Sequence, residues 1–394
     1  MTTYNFDEII DRKRTDSIKW SKKHLKENFN DENSIPMWIA DMDFKTAQPI
    51  IDALIGRAEH GIYGYGHKSE EFLEAAVNWQ KKRNGWDIEK EWILFTPGII
   101  PALNFIVETF CNRGDKVIIQ SPVYYPFLNI ITSNGCHIAN NPLIYDKGEY
   151  KINFAELERI AQDSRTKLMF LCSPHNPVGR VWTEAELKQL GEICIKNNVL
   201  IVSDEIHSDL IFQPNRHTPF GKISEEFRMN SIVCTSPSKT FNLAGLQVSN
   251  IIIPNERIRN ELNHKLTAID IDPGSFASVA QIAAYNDGEE WLGQLLTYLA
   301  ENLNYIDRFV QERMPKVKLI KPEGTYLAWL DFSELGFSDL ELQQLMQKKA
   351  KVALDDGYIF GAGGELFQRI NFACPRSLLQ QALESIEKSL NGIA

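Results

Sequence analysis

The stretch Thr235-Ser236-Pro237-Ser238-Lys239-Thr240-Phe241-Asn242-Leu243-Ala244-Gly245-Leu246-Gln247-Val248-Ser249-Asn250 places a lysine just beyond a short apolar run. That run, Ser231-Ile232-Val233-Cys234, reads as a buried strand, and the small-residue turn Ser236-Pro237-Ser238 ends it. A lysine delivered beside a core strand is partly desolvated. Desolvation lowers the pKa of an ammonium group, and the neutral amine is the nucleophile that forms Schiff bases. Ser236 and Ser238 offer hydroxyls that could hold a phosphate near that amine. Alone, Ser-x-Ser-Lys also describes an exposed lysine after a turn, so the rest of the chain has to decide.

Working outward, the pattern strand, turn, helix repeats from residue 92. Trp92-Ile93-Leu94-Phe95 ends in Thr96-Pro97-Gly98, and an apolar helical stretch follows to about residue 111. Lys116 to Gln120 ends at Ser121-Pro122, Leu168 to Cys172 at Ser173-Pro174, and Val199 to Val202 at Ser203-Asp204. Ser249 to Ile253 ends at Pro254. Short β-branched runs separated by helical segments indicate an α/β fold with a mostly parallel central sheet covered by helices on both faces. Polar motifs begin where these strands end, which is where open α/β sheets place their ligands.

At 394 residues the chain exceeds one ordinary core, so two domains are expected. The chain breaks near Asp272-Pro273-Gly274, and Glu289 to Glu312 reads as a long helix leading into a smaller α+β unit. That unit holds the strands Thr325 to Leu330 and Gln368 to Phe372 and the turn Gly361-Ala362-Gly363-Gly364. The expected division is an N-terminal segment 1–45 packing with the small domain, a large domain 46–285 and a small C-terminal domain 286–394.

Composition narrows the function. Hydrophobic residues at 43% and charged residues at 24% are those of a globular protein in water. A net charge of -10 argues against nucleic acid as a partner. No run of about 18 apolar residues and no apolar leader at the N-terminus appear, so neither a membrane nor export is expected, and the location expected is cytoplasmic. The six cysteines are scattered without a Cys-x-x-Cys pair, which favours reduced core thiols over a metal site or a disulfide framework.

Four more positions join Lys239. Gly98 opens a strand-to-helix junction, where free backbone amides bind anions. In Ser173-Pro174-His175-Asn176-Pro177 the prolines fix the backbone around Asn176, whose amide can donate to a ligand oxygen; an ordinary Asn-Pro turn is the other reading. Asp204 ends an apolar strand, and a carboxylate buried there needs a cation, unless it merely caps a helix. A pyridinium nitrogen is such a cation, and keeping it protonated makes the ring an electron sink. Arg369 follows the glycine turn in a strand and has the two-pronged fit for a substrate carboxylate.

In this order and spacing, nearly the whole chain resembles the fold type I pyridoxal-phosphate enzymes (aspartate aminotransferase-like, class I/II). Within them it most resembles the bacterial cystathionine β-lyase, or C–S lyase, branch. The segments that carry the latter resemblance are D-R-K-R-T-D-S-I-K-W (11–20), M-W-I-A-D-M-D-F (37–44), Y-G-Y-G (63–66), S-D-E-I-H-S-D-L (203–210), K-T-F-N-L-A-G-L-Q (239–247) and R-I-N-F-A-C-P-R (369–376). The resemblance implies pyridoxal 5'-phosphate as cofactor, no metal, and a homodimer with shared active sites. Lys239 should carry the cofactor and later move protons. Asp204 should pair with the ring nitrogen, Asn176 with the ring hydroxyl, and Tyr124 should stack on the ring. Gly98, the Ile99 and Ile100 amides, Ser236 and Ser238 should hold the phosphate, joined by Tyr65 reaching over from the neighbouring subunit. Arg369, with Asn176 and the backbone near Ala40, should bind the α-carboxylate.

Two positions depart from the commoner aminotransferase pattern. His207 stands where many relatives place a tyrosine on the ring oxygen, and Gln247 where they place an arginine on the phosphate. Both departures weigh more against a plain transaminase than against cofactor binding. The implied activity is α,β-elimination from cystathionine or another cysteine thioether, giving a thiol, pyruvate and ammonia. The alternatives are an aminotransferase and a protein of this fold acting mainly as a regulatory binding partner. A nucleotide-binding α/β protein is disfavoured, because the glycine turn lies late in the chain and no G-x-x-x-x-G-K-[ST] occurs.

Overall fold

Short runs of Ile, Val, Leu and Phe bounded by Ser-Pro and Pro-Gly turns suit strands buried on both faces, and six such runs join with the half-exposed edge strand His137–Asn140 in one seven-stranded sheet. The computed structural model describes residues 3–392. Met1, Thr2, Ile393 and Ala394, the ends of the segments divided above, lie outside the described residues. The strands are β1 (Ile93–Thr96), β2 (Lys116–Ile119), β3 (His137–Asn140), β4 (Thr166–Cys172), β5 (Leu200–Asp204), β6 (Ser231–Thr235) and β7 (Ser249–Ile252). Their order is β1-β7-β6-β5-β4-β2-β3. Pairing is parallel from β6 through β3, whereas β7 runs antiparallel to both β1 and β6.

Alternation along the strands sorts side chains into two cores. Val117, Ile119, Leu168, Phe170 and Val202 face the helices Ile99–Phe110 and Glu256–Ala268. Ile118, Met169, Leu171 and Ile201 face the helices Phe154–Ala161 and Glu184–Lys196. Each large apolar side chain so buried contributes about 1.5–3 kcal/mol relative to exposure. The register carries the site: Cys172 pairs with Asp204, and Asp204 with Cys234, so three parallel strands end on one line.

A second, antiparallel sheet has the order β8-β9-β11-β10, from β8 (Lys318–Ile320), β9 (Leu327–Asp331), β10 (Asp355–Asp356) and β11 (Phe367–Asn371). Arg369 lies opposite Trp329 on one side and Asp355 on the other. The helix Glu289–Arg313 leads into this sheet, burying Leu292, Leu295, Leu299, Leu303, Ile306 and Val310 at helical spacing. The N-terminal segment joins it as well. Ile35–Pro36 pairs in parallel with Val352–Ala353, and the Asp43 amide donates to the Ala373 carbonyl at 2.9 Å. The chain around Trp38 to Asp43 therefore runs between the two sheets.

Candidate active site

The strand ends meet at one cavity of about 380 Å³, lined by Ala40, Gly98, Ile99, Ile100, Tyr124, Asn176, Asp204, His207, Ser238, Lys239 and Arg369. That volume suits a small ligand. A wider groove of about 1230 Å³ runs past Arg83, Arg216 and Lys321, but it holds none of these residues. Its cations Arg83 and Lys321 are taken up by Asp209 and Asp307, so chemistry rather than size selects the smaller cavity.

At the end of β1, Gly98 adopts φ +105°, a conformation that disfavours side chains. An added Cβ would meet only Pro101 at 3.8 Å, so backbone strain and not space requires the glycine. No side chain caps the helix that follows, so its first-turn amides at Ile99 and Ile100 open onto the cavity as an anion site. Ser238 lies at the same end. Ser236 does not line the cavity: its hydroxyl donates to the Val248 carbonyl at 2.6 Å and accepts from the Ser238 amide at 3.0 Å. It shapes the turn that delivers Lys239. Gln247, with φ +53°, also lines the cavity.

Lys239 is enclosed, and its Nζ donates to the Ala40 carbonyl at 2.6 Å. Burial lowers its ammonium pKa to about 8; Arg369 acts in the same direction, and Asp41 and Asp204 oppose it. Asp204 accepts the Ile206 amide at 3.2 Å. Burial pushes its carboxyl up to about 7 against that hydrogen bond and the Lys239 charge. His207 is buried, edge-on to Tyr326 at 5.9 Å, and its Nδ1 has no partner. Burial first, then Lys239 and Arg369, hold the imidazole well below its usual pKa, so it is neutral.

Across the cavity, Arg369 Nη1 donates to Asn176 Oδ1 at 2.9 Å and Nη2 to the Trp38 carbonyl at 3.1 Å. Nη2 also pairs with the buried Asp355 carboxylate, and the guanidinium lies 4.8 Å over the Phe360 ring. Its Nε is buried without a partner. Tyr124 is half-buried against Phe127 and Tyr125, its phenol pKa raised mainly by desolvation. Tyr65 is not brought to this cavity; it is 103% exposed.

These groups fit the implied cofactor. Asp204 is a buried carboxylate in want of a cation, the Ile99 helix start is an uncapped anion site, and Lys239 lines the same cavity. Sequence reasoning missed Asp355, Tyr326, Asn371, Asn242 and Asp209. The Asp209 carboxylate accepts Thr240 Oγ1 at 2.8 Å and Trp79 Nε1 at 3.1 Å, anchoring the residue after the lysine. Asn242 bonds the Met42 and Phe44 carbonyls, and the K-T-F-N quartet was the one signal that could have marked it.

Residues 32–386 match the family model for aminotransferase class I and II. The cystathionine beta-lyase PatB of Bacillus subtilis is 44% identical over 388 residues, 98% of this chain and 100% of the relative. The structure of cystalysin from Treponema denticola, which contains pyridoxal 5'-phosphate, superposes with TM-score 0.96 at 36% identity, covering 100% of both chains. The PLP-bound C-S lyase of Staphylococcus hominis gives TM-score 0.92 at 36% identity, covering 99% of this chain and 98% of that one.

Proposed function

The chain belongs to the class I and II aminotransferase family, and from that membership and the site geometry we infer how it works as a pyridoxal-phosphate-dependent carbon–sulfur lyase of the cystathionine β-lyase type. It cleaves the C–S bond of a small amino-acid thioether, releasing a thiol, pyruvate and ammonia. The observation that carries the residue assignment is the convergence of Lys239, Asp204 and Arg369 on one cavity.

When bound, the cofactor supplies an electron sink for the bond that loses its α-proton. The protein does the rest. Arg369 binds the substrate α-carboxylate and is itself held by Asn176, Trp38 and Asp355. Asn176 Nδ2 makes no bond to another described residue and is free to reach the ring hydroxyl. With the cofactor bound, Asp204 would pair with the protonated ring nitrogen and Tyr124 would offer its ring as a packing surface; both line the cavity. Lys239 Nζ, with a pKa of about 8, is poised near neutrality to take the α-proton. The proton it takes is then at hand for the departing thiolate. Trp38 and Tyr125 line the same cavity and offer apolar surface to the sulfur substituent. The neutral His207 supplies an unpaired ring nitrogen where relatives use a phenol. Elimination needs no second keto acid, and an aminotransferase does. Pyruvate formed from an S-alkyl cysteine at the same rate with and without added keto acid supports the lyase; strict dependence on the keto acid contradicts it.

Replacing Arg369 with lysine keeps the charge but loses the fork, and is expected to raise KM about 10- to 100-fold with a smaller change in kcat. Steady-state kinetics on one thioether reads both constants.

The working unit is a homodimer in this reading. Support comes from the exposed apolar segment Ile62, Tyr63 and Tyr65, whose Tyr65 touches no group of its own cavity. Light scattering should give twice the chain mass of 45.1 kDa. Mixing inactive Tyr65→Ala chains with inactive Lys239→Ala chains should restore activity, because a mixed dimer carries one intact site. No restoration would show that Tyr65 serves its own chain. A cytoplasmic location suits the six unpaired cysteines, five of them buried, and among the described residues no helix is long and apolar enough to cross a membrane.

A further inference from the structure

The motif Asp11-Arg12-Lys13-Arg14-Thr15-Asp16-Ser17-Ile18-Lys19-Trp20 has no part in the chemistry described above, yet two of its cations, Arg12 and Lys19, reach the edge of the site. Arg12 grips Asp41 with both prongs, Nη2 to Oδ2 at 2.7 Å and Nη1 to Oδ1 at 3.0 Å, and Nη1 also reaches Asp43 Oδ1 at 2.6 Å. Lys19, with no exposed surface, donates to Asp43 Oδ2 at 2.7 Å and to the Asp41 carbonyl at 3.1 Å. Trp20 Nε1 donates to Asp43 Oδ1 at 2.7 Å. Two cations and two anions thus close a cluster behind the residues that face the cavity.

Four consecutive carbonyls in front of that cluster are all engaged. Trp38 O accepts from Arg369, and Ile39 O from Asn371 at 2.6 Å. Ala40 O accepts from Lys239 Nζ at 2.6 Å and from the Tyr326 hydroxyl at 2.8 Å. Asp41 O accepts from Asn371 at 2.6 Å as well as from Lys19. The outer clamp grips this run at Asp41, Arg12 through the carboxylate and Lys19 through the carbonyl.

We propose that Asp41, gripped by Arg12 and Lys19, is a positioning residue for Lys239: it fixes the Ala40 carbonyl that aims the amine and adds a negative charge beside it. The proposal rests on Lys239 being the proton carrier. Asp41 favours the protonated nitrogen, against burial and Arg369. Of the other titratable and charged groups around it, Asp204 and His207 from the end of β5, Tyr124 and Arg369 line the same cavity, and the Tyr326 hydroxyl shares the Ala40 carbonyl with the amine.

The test is Asp41→Asn in the holoenzyme, which keeps the shape and removes the charge. One readout is α-hydrogen exchange of L-alanine in D2O followed by NMR; it needs Lys239 but no leaving group. The other is the pH midpoint of the holoenzyme's visible absorption band. Exchange should slow about tenfold with alanine affinity unchanged within about twofold. The midpoint should fall by about one pH unit, since loss of a nearby anion disfavours the protonated nitrogen. Asp41→Glu, which restores the charge, should bring the midpoint back toward wild type. Should Asp41→Asn fail to fold, Arg12→Lys, which keeps the cation but not the two-pronged grip, decides by the same exchange readout. Wild-type exchange and midpoint together with a lowered melting temperature would overturn the proposal and leave the cluster as a staple for the N-terminus. Exchange by a wild-type protein that releases no pyruvate from thioethers would overturn the lyase reading and not this one.

Discussion

Lys239→Ala is expected to reduce pyruvate formation by about 10⁴-fold, the upper end of what a positioned proton carrier contributes. No other lysine lines the cavity, so nothing nearby substitutes for the amine. The variant should also lose covalent attachment of the cofactor: borohydride reduction should fix a chromophore to the wild-type chain and none to the variant. A small amine such as methylamine, added at high concentration, should restore part of the proton transfer, because the cavity vacated by the side chain admits it. Folding should be preserved, since Thr240, Asn242 and Asp209 still hold the segment. Activity within tenfold of wild type would remove Lys239 from the mechanism.

Asp204→Asn should lower turnover by about 10²- to 10³-fold, from the roughly 3–5 kcal/mol lost when one partner of a buried ion pair is removed. The amide keeps the size and the Ile206 contact but cannot compensate a protonated ring nitrogen. The same substitution should act in the opposite direction on the cofactor-free protein. Burial there raises the Asp204 carboxyl from an ordinary 3.8 to about 7. Between those values the folded chain binds more protons than the unfolded one, so the contribution is fully present below pH 4 and is lost as pH rises through 7. Asp204→Asn removes that loss. Above pH 7 the cofactor-free variant should resist urea better than the cofactor-free wild type, by on the order of 1–3 kcal/mol. With cofactor bound the ranking should reverse. Equal urea midpoints for the two cofactor-free proteins at pH 8 would show that Asp204 is not held as a buried acid. Function here is placed against stability, at the end of a strand where a hydrophobic residue would pack better.

The parts legible in the sequence are those that a local pattern encodes. Each apolar run and the turn that ends it could be read in place, and with them Gly98, Asn176, Asp204 and Lys239, because a parallel sheet brings strand ends together whatever its strand order. Arg369 was legible from its glycine turn and its resemblance, and its environment was not. Asp355 sits 14 residues away in sequence and becomes its partner only through antiparallel pairing of β10 with β11. The reversal of β7 was equally hidden, since alternation carries no direction. The edge strand β3, His-Ile-Ala-Asn, escaped notice because it is half exposed and only partly apolar. Ser236 shows the limit of spacing: two hydroxyls flank the same turn, and only the backbone geometry decides that one faces the cavity and the other the Val248 carbonyl. The clamp on Asp41 spans 22 to 29 residues of sequence, and a charge run such as Arg12 to Arg14 looks like solvated surface until its partners are seen.

The most direct measurement of the central claim is the yield of thiol and pyruvate from L-cystathionine, with the purified holoenzyme and no keto acid present. Elimination by Lys239 at a site that holds one α-carboxylate is expected to release homocysteine, the thiol product, and pyruvate in equal amounts. Neither product without keto acid, with amino transfer once one is added, would contradict the lyase account.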